Sequence, residues 1–141
     1  MSIWFKEYTI DELEPMRRGT MMEHLEMEIV EIGEDYLKAT MPVDHRTVQP
    51  MGLLHGGASL ALAESLGSVA GTLCLNPETS YCVGVEINAN HIRSVREGRV
   101  TGITKPVHLG KMTQVWEIKI FNEQDNLVCI SRITLAVIQK S

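Results

Sequence analysis

From about Gly56 to Leu73 the chain is built almost wholly of glycine, alanine, serine, leucine and valine, with one charge, Glu64, in the middle. No proline interrupts it, and its length and spacing predict a helix. A helix apolar around most of its circumference belongs inside a protein, not on its surface. His55, Glu64 and several serines and glycines make it too polar for an isolated membrane span. The rest of the chain must therefore cover it.

The segments on either side are of the right kind to do so. "TIDELEPM" reads as a short helix capped by Thr9, and "TMMEHLE" as another turn behind Thr20. "EMEIVEIGEDYLKATMPV" reads as two strands around a tight Gly33-Glu34-Asp35 turn. "DHRTVQPMG" is a loop leading into the helix. After "NPETS" come "YCVGVEINANHIRSV", "RVTGITKPVHLG" and "MTQVWEIKIFNEQDNLVCISRITLAVI". Trp116, Ile118 and Ile120 alternate, "NEQDN" turns, and Val128, Ile130, Ile133 and Leu135 run back as a hairpin. The order is β-β, one long helix, then four β. This predicts an α+β fold: an antiparallel sheet packed around one central helix. At 141 residues, one domain spanning 1–141 is expected.

Composition narrows the function. The formal net charge is -5 and the basic residues are spread out, which leaves no electrostatic support for nucleic-acid or membrane-surface binding. Cys74, Cys82 and Cys129 lie far apart in apolar segments, as buried thiols of a reducing compartment do. No clustered His/Cys motif suggests a metal site, and no cofactor is implied. In "MSIWFKEYTIDELEP" the residues Glu7, Asp11, Glu12 and Glu14 interrupt any apolar run, so it does not read as a signal peptide. The expected location is cytoplasmic.

The chemistry concentrates in the helix. Ala61, Glu64, Ser68 and Gly71 share a face, and Leu60, Ala63, Gly67 and Ala70 line a neighbouring one, where small side chains allow close contact with a sheet. Two readings of Glu64 stay open here: a carboxylate in a pocket floor, or a side chain pointing to water. Gly56 and Gly57 put unshielded N–H groups at the first turn. They either bind an anion or polarise a carbonyl oxygen, or they form a tight loop-to-helix junction. Glu64 lies about two turns further on, on the order of 10 Å by helical rise. A site that uses both ends calls for two chains.

Taken together, "MPVDHRT", "QPMGLLHGGASLALAESLGSVAG", "VGVEINANHIRSVREGRV" and "KPVHLGK" resemble the hotdog-fold acyl-CoA thioesterases. Within them the chain is most similar to the 1,4-dihydroxy-2-naphthoyl-CoA hydrolases of quinone (menaquinone) biosynthesis and to the thioesterases that clear misacylated aryl carrier proteins. The resemblance runs from about Trp4 to Ile138. It implies a sheet wrapped around the helix, a homodimer with active sites at its interface, and often a dimer of dimers, a homotetramer.

The resemblance also implies residue roles. Glu64 matches the catalytic carboxylate, which attacks the thioester carbonyl or activates water. The Gly56 N–H matches the group that polarises the carbonyl. Gln49 matches a side chain that positions the carbonyl or the water, and His55 one that supports orientation. Ser68 matches a pocket residue, and Gly84 a position where the pantetheine arm approaches the strand. His91, Arg93, Ser94, His108, Leu109, Gly110 and Lys111 match the CoA-binding surface. For Arg96, Arg99 and Lys105 a solvated strand end is the simpler reading. Met51 stands where relatives are expected to carry an aromatic residue, so the acyl pocket is where this chain departs.

The implied activity is hydrolysis of an aromatic acyl-CoA to free acid and CoA. The alternatives are release of wrong acyl groups from an aryl carrier protein, and a broad range over medium-chain and aryl acyl-CoA. A hydratase of this fold would carry a proline-rich "HFP" segment, which is absent. A non-catalytic acyl-CoA-binding module would tolerate loss of Glu64.

Overall fold

The computed structural model describes residues 1–141. Its helices are α1 (Ile10–Leu13), followed by a 3-10 turn at Glu14–Met16, then α2 (Met21–His24) and α3 (Gly56–Leu73). Its strands are β1 (Glu28–Ile32), β2 (Leu37–Pro42), β3 (Ser80–His91), β4 (Arg99–Leu109), β5 (Thr113–Phe121) and β6 (Leu127–Gln139). The two short helices are capped as their sequences predict, Thr9 Oγ1 accepting from Glu12 N–H and Thr20 Oγ1 from Met22 N–H. Between β1 and β2, Gly33 N–H donates to Tyr36 C=O at 2.8 Å, closing the expected turn.

All six strands form one antiparallel sheet in the order β1-β2-β4-β5-β6-β3. The last four strands thus do not stack in chain order, because β3 leaves the helix and pairs with the far strand β6. That makes β3 an edge strand along its whole length. It carries Tyr81, Val83 and Val85 exposed on that edge, the kind of uncovered edge that natural proteins usually pair or protect.

Helix α3 packs against one face of the sheet. Leu62, Ala63, Leu66, Val69 and Ala70 are buried against Trp116, Ile118, Ile120, Ile133 and Leu135. Each large apolar side chain buried this way contributes about 1.5–3 kcal/mol, so the helix is held by packing rather than by its own propensity. The small residues set the spacing. A methyl on Gly67 would sit 2.8 Å from Ile133 Cγ2, and one on Gly71 would sit 2.4 Å from Leu135 Cδ1.

Two tryptophans close the end of the helix. Trp116 is fully buried, donates from Nε1 to Gln114 Oε1 at 2.9 Å, and stacks on Trp4 with ring planes 4° apart. Gln114 in turn donates to Gly71 C=O at 3.4 Å, and Phe5 N–H donates to Leu73 C=O at 2.8 Å, so both satisfy carbonyls of the last helical turns. Of the eighteen helical residues, only Gly57 and Glu64 are exposed. No helix is long and apolar enough to cross a membrane.

Candidate active site

The His-Gly-Gly that begins α3 is built by two imidazole rings. His55 is the N-cap residue, and its Nδ1 accepts from Gly57 N–H at 2.7 Å. That bond places the proton of the neutral ring on Nε2, so His55 offers an N–H donor outward. The ring lies over Gly57, where a Cβ would be 2.9 Å from Nδ1. His91, at the end of β3, does the same over Gly56, with Nε2 2.8 Å from where a Cβ would be. Each glycine is therefore the floor under a ring.

Gly56 N–H has no partner in the chain. Ala58 and Ser59 N–H both turn back to His55 C=O, at 2.9 and 3.1 Å, and Gly57 is taken by the imidazole. The first amide of α3 is left as a free donor at the positive end of the helix dipole.

The loop before α3 is tied by hydrogen bonds and ion pairs and brings Gln49 to the same place. Thr47 C=O accepts from His55 N–H at 2.8 Å, and Thr47 Oγ1 donates to Pro42 C=O at 2.9 Å. Asp44 and Arg46 pair at 2.6 Å, and Arg46 also reaches Glu26 at 3.2 Å. The hydrogen bonds and charge of Arg46 hold the Asp44 carboxyl down at about 2. Gln49-Pro50-Met51-Gly52 is a turn closed by Gly52 N–H to Gln49 C=O at 2.8 Å, with Gly52 at φ +78°. Gln49 Oε1 accepts from Met51 N–H, which leaves the side-chain NH2 group without a partner and free to donate.

A cavity of about 290 Å³ joins these groups. Gln49, Gly56, Ser59, His91, Arg93 and Ser94 line it, with Leu53, Leu54, Ile92 and Val128 as apolar wall. Ser59, only 2% exposed, is a residue the sequence reading missed; it lines the cavity from the first turn of α3. A serine three residues past a helix start is an ordinary residue until its surroundings are known. On the other side of His55 lies an open groove of about 690 Å³ between α2 and the start of α3, with Met21, Leu25, Val48, Ala58 and Ala61 as apolar lining and His24 and His45 among its polar residues.

The remaining predicted residues lie elsewhere. Glu64 is exposed, not buried in a pocket floor, because its face of α3 looks over the open edge of the sheet. Its carboxylate rests against β3, with Oε2 2.6 Å from where a Cβ on Gly84 would be. Ser68, half-buried, is one turn further along that face. His108 and Leu109 end β4, and Gly110 and Lys111 begin the turn to β5, which lies beside Ala136 and Val137 of β6, the residues paired on the other side with Val83 and Cys82 of β3. Met51 stands at the tip of its turn, 71% exposed and outside both cavities.

The candidate residues thus form two groups at opposite ends of β3. Gln49, His55, Gly56, His91, Arg93 and Ser94 cluster at the His91 end. Glu64, Ser68, Gly84 and the His108–Lys111 turn cluster at the Gly84 end. Along β3, Gly84 and His91 are seven positions apart, about 23 Å.

The cysteines offer no competing nucleophile. Burial pushes Cys74 up to about 12 and raises Cys82 and Cys129 as well, so none is a thiolate near neutral pH. No group of three or more His, Cys, Asp or Glu residues has the arrangement to hold a metal ion.

The chain and its fold match a known class. The thioesterase superfamily model matches residues 51–129, and the chain belongs to that family, with its hotdog fold. It is 56% identical over 136 residues to the 1,4-dihydroxy-2-naphthoyl-CoA hydrolase of Escherichia coli (strain K12), covering 96% of this chain and 99% of that one. It is 50% identical over 135 residues to the proofreading thioesterase EntH of Cronobacter turicensis, covering 96% and 98%. A thioesterase of Pseudomonas aeruginosa, solved as a glutamine-to-alanine variant, superposes with a TM-score of 0.97 at 42% identity, covering 99% of this chain and 100% of that one.

Proposed function

We propose that the protein, as one domain, hydrolyses an aromatic acyl-CoA of the 1,4-dihydroxy-2-naphthoyl type to the free acid and CoA, in quinone biosynthesis in the cytoplasm. The observation that carries this reading is the unpaired Gly56 N–H, which lines one cavity with Gln49 and its unpaired side-chain NH2 group. Unpaired donors on one cavity wall suit an oxygen that gains negative charge. The thioester carbonyl oxygen sits there. Glu64 takes a proton from the water that attacks the carbonyl carbon and passes it to the departing sulfur as the C–S bond breaks. Or it attacks the carbon itself, expels CoA as thiolate and forms an anhydride that water then hydrolyses, restoring the carboxylate, releasing the acid and supplying the thiol proton.

Glu64 and Gly56 of one chain are about 12 Å apart by helical rise, so the reacting carboxylate comes from a second copy. The exposed edge of β3 is the place for it. Antiparallel pairing of β3 with the same strand of another copy brings the Gly84 end of one chain to the His91 end of the other. Each dimer then has two complete sites, and a further pairing of dimers is part of the proposal. In that arrangement Arg93 and Ser94 meet the partner's His108–Lys111 turn around the CoA arm, where Arg93 and Lys111 suit its phosphates. The apolar groove beside His55 takes the acyl ring, and His24 and His45 are placed to hydrogen-bond ring hydroxyls. Met51, outside that groove, is free to vary.

The second reading, proofreading of an aryl carrier protein, is favoured by the close relation to EntH. Thiol release from matched esters decides between them. The expected result is a kcat/KM on hydroxynaphthoyl- or benzoyl-CoA at least about tenfold above that on medium-chain acyl-CoA and on the same aryl group carried by a carrier protein. A reversed carrier preference would replace the first reading with the second. No release from any thioester would leave neither standing.

A further inference from the structure

Gly84 lies in the run of β3 on ordinary strand backbone; the glycines at positive φ are Gly19, Gly52 and Gly98. An alanine would fit its backbone, and glycine in a strand interior weakens the strand. The reason for glycine must be space. What fills that space is one group: Glu64 Oε2, at 2.6 Å from the missing Cβ, while the next atoms, Glu64 Cδ and Ile133 Cδ1, stand at 3.7 and 3.9 Å. The strand also shifts register between Gly84 and Glu86, with Val85 as the extra residue, 64% exposed. A bulge of this kind re-aims the backbone next to it. The Glu64 carboxylate has no hydrogen bond or ion pair within the chain that would hold it otherwise.

We infer that Gly84 is a positioning residue: its missing side chain is the seat that fixes the Glu64 carboxylate against β3, aimed along the edge where the partner chain's carbonyl site lies. This rests on the reading of Glu64 as the reacting group. A methyl at position 84 would push the carboxylate by about 1 Å, and a displacement of that size costs up to about 10²-fold in rate.

The test is a double-mutant cycle between Gly84→Ala and Glu64→Asp, read as kcat and KM on the best acyl-CoA. Aspartate is one methylene shorter and does not reach the seat. Gly84→Ala is expected to lower kcat about 30-fold or more in the Glu64 enzyme with KM little changed, and less than about threefold in the Glu64→Asp enzyme. An equal factor in both backgrounds, or a rise in KM at constant kcat, overturns the inference and assigns Gly84 to the approach of the pantetheine arm. If Glu64→Asp is too slow to measure, a crystal structure of Gly84→Ala decides: a displaced carboxylate supports the seat, and an unmoved one contradicts it. A Gly84→Ala chain that fails to fold also contradicts it, since only one flexible side chain should need to move. Full activity of Glu64→Gln would instead sink the reading of the site itself.

Discussion

Glu64→Gln is expected to lower kcat on the preferred thioester by about 10³-fold, with KM within about threefold of wild type. Glutamine keeps the shape and length of the side chain and removes its charge and its basic oxygen. The position is exposed and forms no salt bridge, so the exchange leaves the fold alone; surface changes of this kind stay within about 0.5 kcal/mol of stability. An equal loss in kcat and kcat/KM would mark an interaction made only in the transition state. Steady-state kinetics with a thiol reporter, beside a thermal melt, measures both. Activity within tenfold of wild type would remove Glu64 from the chemistry and favour a binding module.

The second large effect is at the helix start. Gly56 is the first residue of α3, and His55 before it is extended at ψ 132°. Proline is well suited to that position: its φ fits, and the residue before it already has the backbone proline demands. Gly56→Pro therefore deletes the one unpaired N–H while sparing the helix. It also adds a Cβ under the His91 ring and closes a ring onto the nitrogen, so Gly56→Ala, which adds the same Cβ and keeps the N–H, controls for the crowding of His91. Gly56→Pro is expected to fall about 10²-fold below Gly56→Ala in kcat, the usual cost of one donor to a developing oxyanion. Equal rates for the two would mean the amide does not act on the carbonyl.

The helix and the strands were legible because their signals are local. The run from Gly56 to Leu73 has no proline and little polarity, and Trp116, Ile118 and Ile120 alternate cleanly. The site was only half legible. The charge in the helix and the Gly-Gly at its start stand out, and the distance between them already called for two chains. The overhead rings were not readable, because the one over Gly56 comes from His91, thirty-five positions away. Gly84 reads as room for a ligand, whereas in the chain its neighbour is the Glu64 carboxylate. The separation of "NANHIRS" from "HLGK" was hidden too. It follows from β3 pairing with β6, a non-local choice that the spacing of segments does not encode.

The central claim is that each active site is shared between two copies, and mixing of inactive chains tests it most directly. Glu64→Gln and Gly56→Pro chains, each nearly inactive alone, are co-expressed with different tags or refolded together. In a mixed dimer one site receives both lesions and the other receives neither. Random assortment makes half of the dimers mixed, so the mixture is predicted to regain about a quarter of wild-type activity, all of it in the doubly tagged fraction. Activity of the mixture no greater than the two parents added together would contradict the account, because it would place Gly56 and Glu64 in one site of one chain.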